Sequence, residues 1–226
     1  MKNKQFSILH SKFEILHSRF RVMGKIESAK TQPGPQLPPW LESFLEDASD
    51  WAKGRMWIPR AILLAYLVYA DIRFLRNPLS STMFSGITLA FHEMGHIIFN
   101  FAGHFIGSFM GSGMQVLVPL IVIAVFLRQP DYFGVAVGGF WFSFSLFELA
   151  NYIADARAMD LPLVGFSDDP EHDWHYLLSA AGLLNFDTFF AFLIRVAATL
   201  SGVASLALAI WLLMIMARTK GRRAVA

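Results

Sequence analysis

The chain has 226 residues, 55% of them hydrophobic and 16% charged, with a net charge of +2 and no cysteine. Soluble domains carry about 25% charged residues, so an ordinary soluble domain is excluded, and apolar runs matched to a hydrocarbon core of about 30 Å are expected instead. The lack of cysteine excludes a disulfide framework and any thiolate metal site. The basic charge sits mainly at the two ends, with no interleaved basic and aromatic groove, so the expected partner is the lipid bilayer and no nucleic acid.

Residues 1–30 form a basic tail, with Lys2, Lys4, Lys12, Arg19, Arg21, Lys25 and Lys30 against Glu14 and Glu27. Ile8-Leu9-His10-Ser11-Lys12-Phe13 is echoed seven residues later by Ile15-Leu16-His17-Ser18-Arg19-Phe20. Such a repeat fits either a basic amphipathic helix on anionic lipid or a frayed tail. Residues 31–57 are a proline-rich linker and an interfacial helix: Thr31 to Pro39 excludes a helix by its four prolines. From Trp40 to Trp57, Trp40, Leu41, Phe44, Leu45 and Trp51 make one apolar side suited to the headgroup layer.

Residues 58–217 carry the apolar runs. Spans are expected at about 58–75, 81–102, 114–127 with Pro119 inside, 133–157 and 189–216. A glycine-rich joint at Gly103, Gly107, Gly111 and Gly113 separates the second from the third. A polar loop covers 158–175, and a shorter apolar piece, 176–184, precedes the last span. Residues 218–226 are a basic C-terminal tail. The fold class is therefore all-α, a polytopic transmembrane bundle of about five to six spans with a polar N-terminal extension. Basic residues at both ends favour an even number, because both would sit in the cytoplasm.

The second span contains Phe91-His92-Glu93-Met94-Gly95-His96, an H-E-x-x-H pattern. On a helix, positions i and i+4 share one face, so His92 and His96 can offer two imidazole nitrogens to one metal. With only His and carboxylates available, that metal is expected to be Zn2+. Glu93, one residue on, is placed to act as general base. Two His and a Glu within an apolar segment are costly unless they pair or bind something, which favours a metal site over a hydrogen-bonded cluster.

A catalytic zinc site usually has three protein ligands and one open position. Glu148, Asn151 and Asp155 share one face of the fourth span by spacing, and Asp155 is the expected third ligand, with Asn151 orienting substrate or an outer group. His172 or Asp173, in Glu171-His172-Asp173-Trp174-His175, and Glu148 remain alternatives. Asp168, Asp169 and Pro170 read as a helix start before them. Asn100 and His104 extend the spacing of four beyond His96, as polar groups at the bundle mouth. Gln115 and Asn185 read as helix-joint residues, and Arg195 is expected to pair with Asp187 or Glu148 or to reach the interface.

His-Glu-Met-Gly-His in a transmembrane helix, followed two spans later by Asn151 and Asp155, resembles the site-2 protease family of intramembrane zinc metalloproteases. That resemblance implies His92 and His96 as ligands, Glu93 as catalytic and Asp155 as third ligand. Asp155 is followed by Ala156, where the family usually has Gly, and the family's proline between Asn and Asp is absent. The block from His92 to about Leu178 is also similar to a group of uncharacterised bacterial membrane proteins. They share H-E-x-G-H, a Gly-Gln-Pro stretch (Gly113, Gln115, Pro119), Tyr-Ile-Ala-Asp-Ala-Arg-Ala and His-Asp-Trp. This implies roles for His172, Asp173 and Trp174 and a bacterial inner (cytoplasmic) membrane location. The expected function is an intramembrane zinc endopeptidase acting on membrane-protein or peptide substrates. The alternative is a non-proteolytic membrane protein that binds or transports a metal.

Overall fold

Proline, glycine and short polar side chains punctuate the apolar runs, and they set where each helix begins and ends. The computed structural model describes residues 37–77, 79–162 and 171–223, with side chains to Thr219. Helix α1 runs Pro39–Ala52, α2 Ile58–Arg76, α3 Ser85–Phe99, α4 His104–Arg128, α5 Tyr132–Ala154, α6 Asp173–Ala180 and α7 Asp187–Arg223. Two single 3-10 turns, Asn100–Ala102 and Leu184–Phe186, lead into α4 and α7. No strand occurs among the described residues. The basic N-terminal tail and the helix start at Asp168 to Pro170 lie outside the described residues.

Local chemistry explains the boundaries. Pro59 stands in the first turn of α2, where its missing N–H costs nothing. Gly103 takes φ +93°, a conformation that side chains disfavour, and so breaks the chain between α3 and α4. Asp131 caps α5 by accepting from the Gly134 N–H at 3.0 Å. The expected glycine-rich joint thus shrinks to Gly103. Gly107, Gly111 and Gly113 lie within α4, which starts at His104 rather than Met114. A side chain at Gly111 would meet the His92 and His96 rings of α3, one at Gly107 would touch Asn100, and one at Gly113 would meet only Met110 of the same helix, distinctions that sequence spacing alone does not draw. The expected 176–184 piece is the short α6.

The chain divides into two compact units, Met1–Phe44 and Leu45–Ala226. Of the first, the described part is Leu37 to Phe44, the opening of α1, where the Pro38 carbonyl accepts the Leu41 and Glu42 N–H groups.

In the second unit α5 is the central helix, buried along nearly its whole length. Helix α7 runs antiparallel to it. Ser201 donates to the Gly139 carbonyl at 2.9 Å, Ser143 donates to the Ala198 carbonyl at 2.8 Å, and Arg195 donates to Asn151 at 3.0 Å. A side chain at Gly139 would meet the Ser205 hydroxyl oxygen at 2.1 Å, so small residues set this close approach. Helix α4 also runs antiparallel to α5, with Gly134 and Gly138 facing Phe126 and Ile123. Helix α2 runs parallel to α5, its Phe74 stacked on Phe144 and Phe147 at 5.6 Å each. The polar seam here is Asp71, which accepts from Ser143 at 3.2 Å.

Among the described residues, three helical segments are long and apolar enough to cross a membrane: 104–128, 132–154 and 184–219. Helix α3 has 15 residues and is about 22 Å long, short of a bilayer core. Hence the expected 81–102 span resolves into a shorter helix, a 3-10 turn and flanking turns.

Candidate metal centre

The H-E-x-x-H segment lies on α3 as its spacing requires, and the His92 and His96 rings sit edge to face with centroids 4.8 Å apart. A carboxylate meets them from far along the chain. Asp173, the first residue of α6, brings its Oδ2 to 3.2 Å from His92 Nε2 and 3.2 Å from His96 Nε2. The three ligand atoms lie within 4.8 Å of one another. His92 and Asp173 are buried and His96 is half-buried.

The outer partners fix which ring nitrogens face inward. Gln115 donates its amide N–H to the Ser145 carbonyl at 3.0 Å, which leaves its amide oxygen to accept from His92 Nδ1 at 3.1 Å. His96 Nδ1 lies 3.0 Å from the Gly107 carbonyl, which can only accept. Both Nδ1 atoms therefore carry hydrogens. In the neutral rings both Nε2 lone pairs then point at one carboxylate oxygen. Three electron-rich atoms aimed at one point repel unless a proton or a metal cation stands among them. A ligating His that donates its other N–H to a carbonyl is the usual outer arrangement of a metal site.

Asp173 is itself held on several sides. Its N–H donates to the Tyr152 hydroxyl at 2.9 Å, and that hydroxyl lies 3.3 Å from Oδ2. His172 caps α6, its Nδ1 accepting from the His175 N–H at 3.2 Å. Its Nε2–H consequently donates to Asp155 Oδ2 at 3.2 Å. Burial lowers the His172 pKa, with Asp155 opposing the shift. The Tyr152 ring stacks on His172 at 4.4 Å, and Trp174 donates to the Ser112 hydroxyl at 3.0 Å, tying α6 to α4.

The residues singled out in the sequence divide accordingly. His92, His96 and Asp173 come together. Asp155 lies against His172 and also accepts the Asp160 and Leu161 N–H groups at 3.0 and 3.1 Å, so it braces the residue beside the cluster carboxylate. Glu148 accepts from Ser85 at 2.5 Å, seven residues, or about 10 Å of helix rise, before His92. Asn151 takes the Arg195 guanidinium, while Asp187 pairs with Arg157 at 2.7 Å. Asn100 is exposed in the 3-10 turn, and His104 forms an exposed pair with Glu171 at 2.8 Å. Glu93 is half-buried beside the cluster, near enough to act electrostatically on His96 and Tyr152. It accepts no hydrogen bond from the described residues.

Sequence reasoning gave no role at the site to Gln115 or Tyr152. A glutamine inside an apolar helix is the signal for the first; the seven-residue step from Ser145 to Tyr152 on one face of α5 is the signal for the second. Gly111 adds a further indication. A Cβ there would lie 2.4 Å from His96 Nε2 and 3.0 Å from His92 Nε2, so this glycine leaves open the space the two lone pairs face. The donor set, the fixed tautomers and that open space fit a small divalent cation. No family model, curated protein or solved structure matches the chain.

Proposed function

We propose that this chain is a membrane-embedded zinc metallopeptidase that hydrolyses peptide bonds in or near membrane segments of protein or peptide substrates. The observation that carries the reading is the convergence of His92 Nε2, His96 Nε2 and Asp173 Oδ2, with the uncommitted carboxylate of Glu93 beside them. A bound zinc ion would polarise the scissile carbonyl and acidify water. Glu93 takes the proton from the attacking water and returns it to the leaving amine. His92 and His96, each fixed by an outer hydrogen bond, hold their lone pairs in place. Tyr152 and the Asp155–His172 pair keep Asp173 turned towards them. The resemblance to site-2 proteases supports the same roles for His92, Glu93 and His96, with Asp173 in place of Asp155.

Four crossings fit the bundle: α2, α4, α5 and α7, with α3 and α6 entering from one side only. An even count returns the chain to the end where it began, and the Gly54 N–H indeed donates to the Thr219 hydroxyl at 2.9 Å.

Glu93→Gln tests the reading. The variant should retain zinc at one ion per chain and lose cleavage of single-span peptide substrates in reconstituted vesicles. Cleavage at the wild-type rate refutes the mechanism. Zinc flux that persists in Glu93→Gln vesicles would support the non-proteolytic alternative instead.

A further inference from the structure

We propose that the metal centre works at the membrane–water boundary and draws its substrate, a juxtamembrane peptide segment, from the headgroup layer rather than the hydrocarbon core. This rests on the zinc-site reading above and adds to it a depth and a substrate class.

Charged residues mark one end of the bundle: Arg128 closes α4, Asp131 caps α5 and Arg218 lies near the end of α7. Arg60, near the start of α2, reaches the same end, with its guanidinium 5.9 Å from the ring of Phe133. Measured from there, three helices give the same thickness. From Asp131 to Tyr152, α5 advances 21 residues, about 31 Å at about 1.5 Å per residue. From Arg128 back to Gly107, α4 also covers 21 residues, again about 31 Å. From Arg218 back to Arg195, α7 covers 23 residues with no charge between, about 34 Å. Each length matches a hydrocarbon core of about 30 Å.

The far ends of these three measures are the residues around the cluster. Tyr152 contacts Asp173, the Gly107 carbonyl takes the His96 N–H, and Arg195 holds Asn151 beside Tyr152. On α2, Arg73 and Arg76 flank the Phe74 turn that stacks on Phe147, five residues before Tyr152. The cluster thus lies towards the far end of the core: Gln115 and Ser145, which hold the inner side of His92, are 13 and 14 residues, about 20 Å, from Arg128 and Asp131, and Gly107 and Tyr152, on its outer side, are about 31 Å from them. Its ligands come from α3 and α6, the two helices too short to cross. Helix α3 meets α5 from its middle onward: Ser85 donates to Glu148, Thr88 accepts from Trp141, and the His92 ring faces Tyr152 at 5.9 Å. Water therefore reaches Glu93 from the headgroup layer, and an extended backbone there need not leave the hydrocarbon core with its N–H and C=O groups unpaired.

The chain has no cysteine, so single-cysteine variants of the full-length protein can carry a nitroxide at one known position. Ile106 precedes Gly107 at the level of the cluster, Leu120 lies 14 residues further along α4, and both are 41% exposed. Zinc per chain is measured on the same samples in phosphatidylcholine–phosphatidylglycerol vesicles. The expected result is a ratio of oxygen to water-soluble nickel-complex collisions several-fold lower at Ile106→Cys than at Leu120→Cys, with zinc bound. Equal ratios at the two positions with zinc bound overturn the boundary placement and leave the zinc reading intact. A boundary ratio at Ile106 in a chain that binds no zinc removes the zinc reading, and this inference with it.

Discussion

Gly111→Ala separates the metal-site reading from a merely packed pair of histidines. The new methyl carbon would stand 2.4 Å from His96 Nε2 and 2.5 Å from its Cε1, where ordinary contact needs roughly 3.5 Å. The His96 ring must therefore retreat by about 1 Å, whereas zinc–ligand distances tolerate about 0.2 Å. The expected loss of zinc affinity is more than about 100-fold, above the range for removing an outer partner. Alanine favours a helix over glycine by about 1 kcal/mol, so the metal-free variant should lose less stability than the clash alone implies. Gly113→Ala is the control, because its Cβ meets only the flexible Met110 side chain, nearest at 3.1 Å. Chelator competition on both variants, with thermal melts of the metal-free forms, makes the comparison. Wild-type zinc affinity in Gly111→Ala would refute the argument, since the methyl group and the ion cannot share that space.

Asp173→Asn should abolish stoichiometric zinc binding, whereas Asp155→Asn should weaken it by about 10- to 100-fold, as expected of an outer partner; equilibrium dialysis with zinc orders the two, and the reverse order would restore Asp155 as ligand. Gln115→Leu removes the acceptor of the His92 N–H and should cost zinc affinity by about the same 10- to 100-fold factor, read by the same titration. Burial lowers the folded-state pKa of His172 from its ordinary value of 6.5, with Asp155 opposing the shift. The unfolded chain then binds the extra proton first, so the stability this group contributes is present above about 6.5 and is lost as pH falls below it. In chelator-treated protein, the drop in melting temperature between pH 7.5 and 5.5 should shrink in His172→Gln, and an unchanged drop would exclude this residue as its source.

The helices were legible in the sequence because apolar run length is a direct physical requirement of a hydrocarbon core. The pair His92 and His96 was legible because helical periodicity alone places them on one face, and Glu93 followed from the same motif. The third member of the cluster was harder to read. Asp155 follows the end of α5 and Asp173 opens α6, and spacing within one helix favoured the former. Only the docking of α6, through the His172 cap and the Trp174–Ser112 bond, decides which carboxylate meets the rings. The glycines were ambiguous for a related reason: Gly103 and Gly111 look alike in sequence, yet one turns the chain and the other leaves room above two imidazoles. Of the five to six expected spans, three described helices are long and apolar enough to cross, and α3 and α6, at 15 and eight residues, are too short by themselves.

The arrival of Asp173 from an eight-residue helix has a consequence for assembly. A helix that short has almost no intrinsic tendency to persist, and 76 residues lie between His96 and Asp173, so closing that loop carries a substantial entropic cost. An ion gripped by both segments would act as a rivet, repaying that cost only once the bundle has formed. Stripping the ion should then release the amides of Asp173–Ala180 to hydrogen exchange well before those of α5, so occupancy would report on whether the last piece of the chain has docked.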